Sequence, residues 1–209
     1  MDRKKILIIL ILIVILIGIV VFTYGTIFQG GTNILVCAVD ESEPRAGMGA
    51  IDMAMIYHLN NHSVTQVYPH GMYHPNASEP QEAVAQGAST KLCLHDSLWW
   101  EDNQQGAAYA REIVEYNTGF NIGPVILINS QGLDGIIQAA SPLEFNGQIV
   151  NTTGIDLIRE DQADGNSRGD AVLSFASSLM NSAHDPGKLI KMVQAFFSEV
   201  SQGNVNVYY

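Results

Sequence analysis

Residues Ile6 to Phe22 form an unbroken apolar run, and Thr23 to Phe28 prolong it without a charged group. A bilayer core needs about 20 such residues, so 6–28 is expected to be a transmembrane helix. Arg3, Lys4 and Lys5 precede the run, and the next cation is Arg45. Positive flanks stay in the cytoplasm, which makes 1–5 a cytoplasmic basic flank, 29–32 a linker and 33–209 an extracellular domain at the cell membrane. The run exceeds the roughly 7–15 apolar residues of a cleaved signal peptide, and Thr23-Tyr-Gly-Thr-Ile-Phe28 is a poor cleavage site, so the segment reads as an uncleaved anchor.

The exported part has the size of one domain with a substantial core. It keeps seven of the ten Lys and Arg against 20 of the 21 Asp and Glu, a net charge of −13. Nucleic acid is thereby excluded as a broad-face partner. Asn61, Asn76 and Asn151 each open an N-glycosylation acceptor triplet, in keeping with export. Cys37 and Cys93 are either two separate buried thiols or a disulfide.

Asn33-Ile-Leu-Val-Cys-Ala-Val-Asp40 predicts a buried strand. Ile51 to Leu59 and Val64 to Tyr68, joined by Asn60-Asn-His-Ser63, predict an antiparallel hairpin. Pro69 to Pro80 carries three prolines and reads as loop. Glu101 to Asn117 is helical, stopped at Gly119. Pro124 to Asn129 is a strand followed by a helix over 131–139, and Phe145-Asn-Gly-Gln-Ile149 carries an Asn-Gly turn. Helices are expected over 154–159, 170–182 and 186–200. Together these predict an α/β fold with a central mixed β-sheet flanked by helices on both faces.

No nucleophile elbow, phosphate-binding glycine loop or zinc-protease motif is present. Ser130 opens a helix, as a nucleophile or as an N-cap. His70, His74, His95 and Asp96 offer metal ligands or are ordinary loop residues. His95-Asp-Ser-Leu-Trp-Trp100 suits a ligand wall, or its tryptophans cover the sheet. Arg45 and Arg168 are scarce cations in an acidic domain, each beside a loop, and Asp40 ends a strand where open α/β sheets place ligand groups. Arginine forks bind phosphate and carboxylates hold the accompanying magnesium, so Asp40, Arg45, Asp52 and Arg168 predict a diphosphate site, the alternative being plain ion pairs.

The pattern Ile34 to Asp40, a loop with Arg45, Ile51-Asp-Met-Ala-Met-Ile56, a hairpin strand and Pro69 resembles the opening of LytR-CpsA-Psr domains. Ala38-Val-Asp-Glu-Ser-Glu-Pro-Arg45 and Leu94-His-Asp-Ser-Leu-Trp99 resemble an uncharacterised family of membrane-anchored archaeal proteins common in methanogens. The first resemblance implies a membrane-anchored phosphotransferase of the cell envelope that moves a glycan from a polyprenyl-diphosphate lipid to a cell-wall polymer. It implies Asp40 and Asp52 as catalytic residues holding Mg2+ and Arg45, Arg168 and Arg159 on the diphosphate, while His70, His95 and Trp99 are expected to bind the substrate. Where that family carries an arginine and an aspartate after the proline, this chain has His70-Gly71, and Asp170-Ala171 stand where a second arginine is expected. These departures leave a noncatalytic binding or scaffold domain of the same fold as the alternative.

Overall fold

The computed structural model describes residues 33–43, 45–145, 148–150 and 168–209. The expected membrane helix, its flanks and the helix expected over 154–159 lie outside them. Among the described residues no helix is long and apolar enough to cross a membrane.

Five strands form the main sheet: β1 (Asn33–Asp40), β2 (Ala50–His58), β3 (Ser63–Val67), β6 (Ile122–Ile128) and β9 (Val205–Tyr208), in the order β3-β2-β1-β6-β9. β1 and β6 are parallel and the other neighbours antiparallel, so the sheet is mixed as expected. β1 alternates strictly in burial. Leu35, Cys37 and Val39 enter one core with Val125 and Leu127, whereas Val36 packs on the opposite side with Ile126. A strand in the middle of the sheet needs apolar residues on both faces, which is why its sequence reads as a continuous run.

The first face is covered by α2 (Asn103–Thr118), whose Ala107, Ala110, Ile113 and Val114 are fully buried. The opposite face carries α3 (Ser130–Ala140), α4 (Arg168–Ser182) and α5 (Pro186–Gln202). Expected helix ends hold to within a few residues. Asp102 and Asp185 cap α2 and α5 through their side chains, and left-handed Gly119 and Gly203 close them. The α3 cap is Asn129 rather than Ser130: its Oδ1 accepts from the Gly132 N–H at 2.9 Å.

The stretch expected as loop after Pro69 is more ordered. A single 3-10 turn (Pro69–Gly71) leads into β4 (Tyr73–Ser78), which pairs antiparallel with β5 (Lys91–Cys93) across α1 (Gln81–Ala85). Pro75 is tolerated because a two-stranded sheet is all edge. β7 (Leu143–Phe145) and β8 (Gln148–Val150) pair with Phe145 opposite Gln148, the register an Asn-Gly turn demands. Both cysteines are buried and free, so no disulfide joins them. Asn61 and Asn76 are exposed.

Candidate functional site

Arg45 leaves the end of β1 in a loop pinned at two points. A Cβ on Gly47 would collide with the carbonyls of Leu98 and Trp100, so only glycine lets the loop lie against that segment. One residue on, the Met48 N–H donates to Asn103 Oδ1 at 3.0 Å, tying the loop to the start of α2. Below it, β5 runs into a second 3-10 turn (Leu94–Asp96), whose Leu94 is fully buried beneath the polar residues.

The Arg45 side chain is only 6% exposed. Its Nη2 lies 2.7 Å from Asp96 Oδ1, 2.9 Å from Glu43 Oε2 and 3.4 Å from His95 Nδ1, and the guanidinium sits 4.4 Å above the Trp99 ring. Asp96 holds the cation from behind; Glu43, with its side chain 45% exposed, closes it toward solvent. The closed ion pair weighed as the alternative for Arg45 is therefore present, with His95, Trp99 and His70 around it. His70 stacks on His95 at 4.1 Å between ring centres.

The same turn carries a second set of contacts. Cys93 Sγ donates to Asp96 Oδ2 at 3.3 Å, His95 Nδ1 lies 3.1 Å from Asp96 Oδ1, and His95 Nε2 is 3.5 Å from Glu43 Oε1. Buried Glu79 accepts from the Cys93 N–H at 2.7 Å with Oε1, while its Oε2 has no hydrogen-bond partner among the described residues. Burial works against ionising Asp96, but the bonds from His95 and Cys93 and the Arg45 charge outweigh it, so its pKa falls below the usual carboxylate value. Burial raises the Glu79 pKa, opposed by the Cys93 N–H. Burial and then the Asp96 charge push the Cys93 thiol far up.

His74, offered by the sequence as a metal ligand, belongs elsewhere. Its Nδ1 accepts the N–H groups of Asn76 and Ala77 at 3.0 and 2.7 Å, which puts the proton on Nε2, facing Glu112 at 2.8 Å. It shapes a turn.

Asp40 and Asp52 stand at one end of the sheet. Asp40 pairs with Ala50, and its Oδ1 accepts from the Ser42 N–H at 2.8 Å. β2 slips register between the partners of Ala38 and Val39. The bulge turns Ile51 into the core, where strict alternation from Ile56 and Ala54 would have put Asp52, and leaves Asp52 half-buried. Arg168 is the first residue of α4, and Arg159 lies outside the described residues. Sequence reasoning missed Glu43, Glu79 and Cys93. The spacing Cys93-Leu-His95-Asp96, three donor types in four residues, was the signal available for the last.

Residues 29–162, more than half of the sequence, match the family model "Protein of unknown function (DUF4012)". The chain belongs to that family. No curated protein matches it. Among solved structures, this DUF4012 chain is similar to a Streptococcus agalactiae protein (TM-score 0.62, 13% identity, 89% of this chain and 71% of that one). It is also similar to a LytR-Csp2A-Psr enzyme from Actinomyces oris (TM-score 0.55, 12% identity, 85% and 70%). A third is a Bacillus subtilis protein described as the transcriptional regulator yvhJ (TM-score 0.52, 15% identity, 85% and 70%). At these identities the likeness is one of fold: the DUF4012 chain has the mixed α/β architecture of LytR-CpsA-Psr structures.

Proposed function

We propose that this DUF4012 protein is anchored in an archaeal cell membrane by 6–28 and binds a polyprenyl-diphosphate-linked glycan at the outer face, passing it to a cell-wall polymer in the manner of a phosphotransferase. The observation that carries this reading is the sheet end. β1 ends in Asp40, the register sets Asp52 on the adjoining strand two residues beyond Asp40's partner Ala50, and the loop between them holds Arg45 anchored on Asp96 and Trp99. Carboxyl ends of strands are where α/β folds place ligands. The likeness of fold to a LytR-Csp2A-Psr enzyme supports the same class.

Glu43 is the group a diphosphate displaces, since it is the more exposed of the two carboxylates on Arg45, while Asp96 keeps the guanidinium oriented. Arg168 and Arg159 supply the remaining positive charge, and His70, His95 and Trp99 flank the glycan. The oxygen donors of Asp40 and Asp52 suit a hard divalent cation, and Mg2+ there would offset the charge of the diphosphate as an acceptor hydroxyl attacks the glycan-side phosphorus, the phosphoanhydride bond breaks and polyprenyl phosphate leaves. A second reading, binding without transfer, is favoured by the ion pairs of Arg45 with both Asp96 and Glu43, which leave it less charge to offer a phosphoryl group.

The test is binding of a polyprenyl-diphosphate analogue to the full-length protein. Arg168→Ala should weaken it roughly tenfold or more, because a charge-assisted contact contributes about 1.5–3 kcal/mol. Glu43→Gln should tighten it by removing the competing carboxylate. Affinity unchanged in both variants overturns the proposal; binding without glycan release to an acceptor leaves the second reading.

A further inference from the structure

We propose that Cys93, His95 and Asp96, with Glu79 beside Cys93, form a binding site for a zinc-like divalent cation, separate from any magnesium held by Asp40 and Asp52. One donor atom from each of Cys93, His95 and Asp96 lies within 4.8 Å of the others, and all three residues are buried. Zinc takes thiolate, imidazole and carboxylate together in a tetrahedron, and magnesium does not accept the sulfur.

The spacing is close to what the metal requires. With Zn–S near 2.3 Å and Zn–O near 2.0 Å, tetrahedral geometry puts sulfur and oxygen about 3.5 Å apart; Cys93 Sγ and Asp96 Oδ2 are 3.3 Å apart. His95 Nδ1 stands beside the other carboxylate oxygen, 3.1 Å from Asp96 Oδ1. Replacing the thiol proton by the metal thus leaves Cys93 Sγ and Asp96 Oδ2 within a few tenths of an ångström of where they stand.

Three further observations point to a cation. The Glu79 side chain is buried and held against Cys93 by one oxygen, while the other has no partner among the described residues, which is costly unless something positive completes it. Glu43 and Asp96 share the one guanidinium of Arg45, so among the described residues the two carboxylates outnumber their cation. With Nδ1 on a metal, His95 turns Nε2–H toward Glu43 Oε1 at 3.5 Å, the outer carboxylate that orients metal-bound histidines. Arg45 engages Asp96 through Oδ1 and leaves Oδ2 for the ion. The inference does not depend on the chain's binding a diphosphate.

The test is titration of the full-length, reduced protein with Co2+, then displacement by Zn2+. One equivalent of Co2+ should bind with a thiolate-to-cobalt band in the near ultraviolet. Cys93→Ser should abolish the band, and Cys37→Ser, altering the only other cysteine, should keep it. His95→Ala should lower Zn2+ affinity at least tenfold, and Glu43→Gln by about 10–100-fold, the opposite sign to its effect on the diphosphate analogue. As a check that needs no variant, saturating Zn2+ should shield Cys93 from alkylation. No thiolate band in the wild type, a band that survives Cys93→Ser, or alkylation of Cys93 unaffected by Zn2+ overturns the site.

Discussion

Helices α2 and α5 are built from the same parts and end up in different environments. They run for 16 and 17 residues, each begins at an aspartate cap and each ends at a left-handed glycine. Yet α2 buries five residues and α5 none, leaving Leu189, Ile190, Val193, Phe197 and Val200 in contact with solvent. The reason lies in what each one meets. The buried seam of α2 begins with small residues: a Cβ on Gly106 would come within 2.7 Å of Leu98 Cδ2, so the helix seats directly on the 3-10 turn and the sheet. α5 packs mainly on α3 and meets the sheet at its edge strand β9. Caps decide that a helix forms; the partner decides how much of it is buried.

The α2 side should therefore be the intolerant one. Arg45→Ala should have the largest effect, about 3–5 kcal/mol in urea unfolding, because it leaves Asp96 buried without its cation; Arg45→Lys should recover part of this. Next, Ile113→Ala should cost about 2–5 kcal/mol, whereas Ile190→Ala on α5 should stay within about 0.5 kcal/mol. Equal costs would break the comparison.

The pH dependence should also come from the α2 side, with two signs. The folded-state pKa of Asp96 is lowered, so its contribution is present above its unfolded pKa and is lost as pH falls through the folded value. Unfolding measured across the acid range should flatten in Asp96→Asn. The pKa of Glu79 is raised, so its contribution is present below its unfolded pKa and is lost as pH rises through the folded value. In metal-free protein, Glu79→Gln should therefore raise the melting temperature at neutral pH and not in acid. The smallest effects sharpen the likeness of the two helices: Asp102→Ala and Asp185→Ala should each cost about 1 kcal/mol by thermal melting, since their capping bonds are alike.

Much of the fold could be read from the chain. The β2–β3 hairpin follows from two β-rich runs around Asn60-Asn-His-Ser63, and the helix ends follow from Asp102, Gly119, Asp185 and Gly203. Strand β4 escaped notice because Pro75 within it and Pro69 and Pro80 around it argue against regular structure, and its partner β5 lies more than ten residues away. The site was legible in part. Arg45 stood out as a rare cation, and His95 and Trp99 as a polar-aromatic pair, but the sequence grouped Arg45 with Asp40 and Asp52 in one diphosphate and magnesium site and did not name the carboxylates that hold it. In the structure the groups on its guanidinium are Glu43 and Asp96.

The sequence by itself determined the ends of β1, of the β2–β3 hairpin and of the long helices, because those choices rest on periodicity, capping and turn chemistry within a few neighbouring residues. It also determined that the sheet centre is apolar on both faces. Only the tertiary structure decided that a loop after β1 and a turn after β5, about 50 residues apart, would enclose one guanidinium, and that Cys93, His95 and Asp96 would share one buried corner with Glu79. A buried charge acquires its partners from whatever the packing brings within hydrogen-bond reach, and separation along the chain says nothing about that distance.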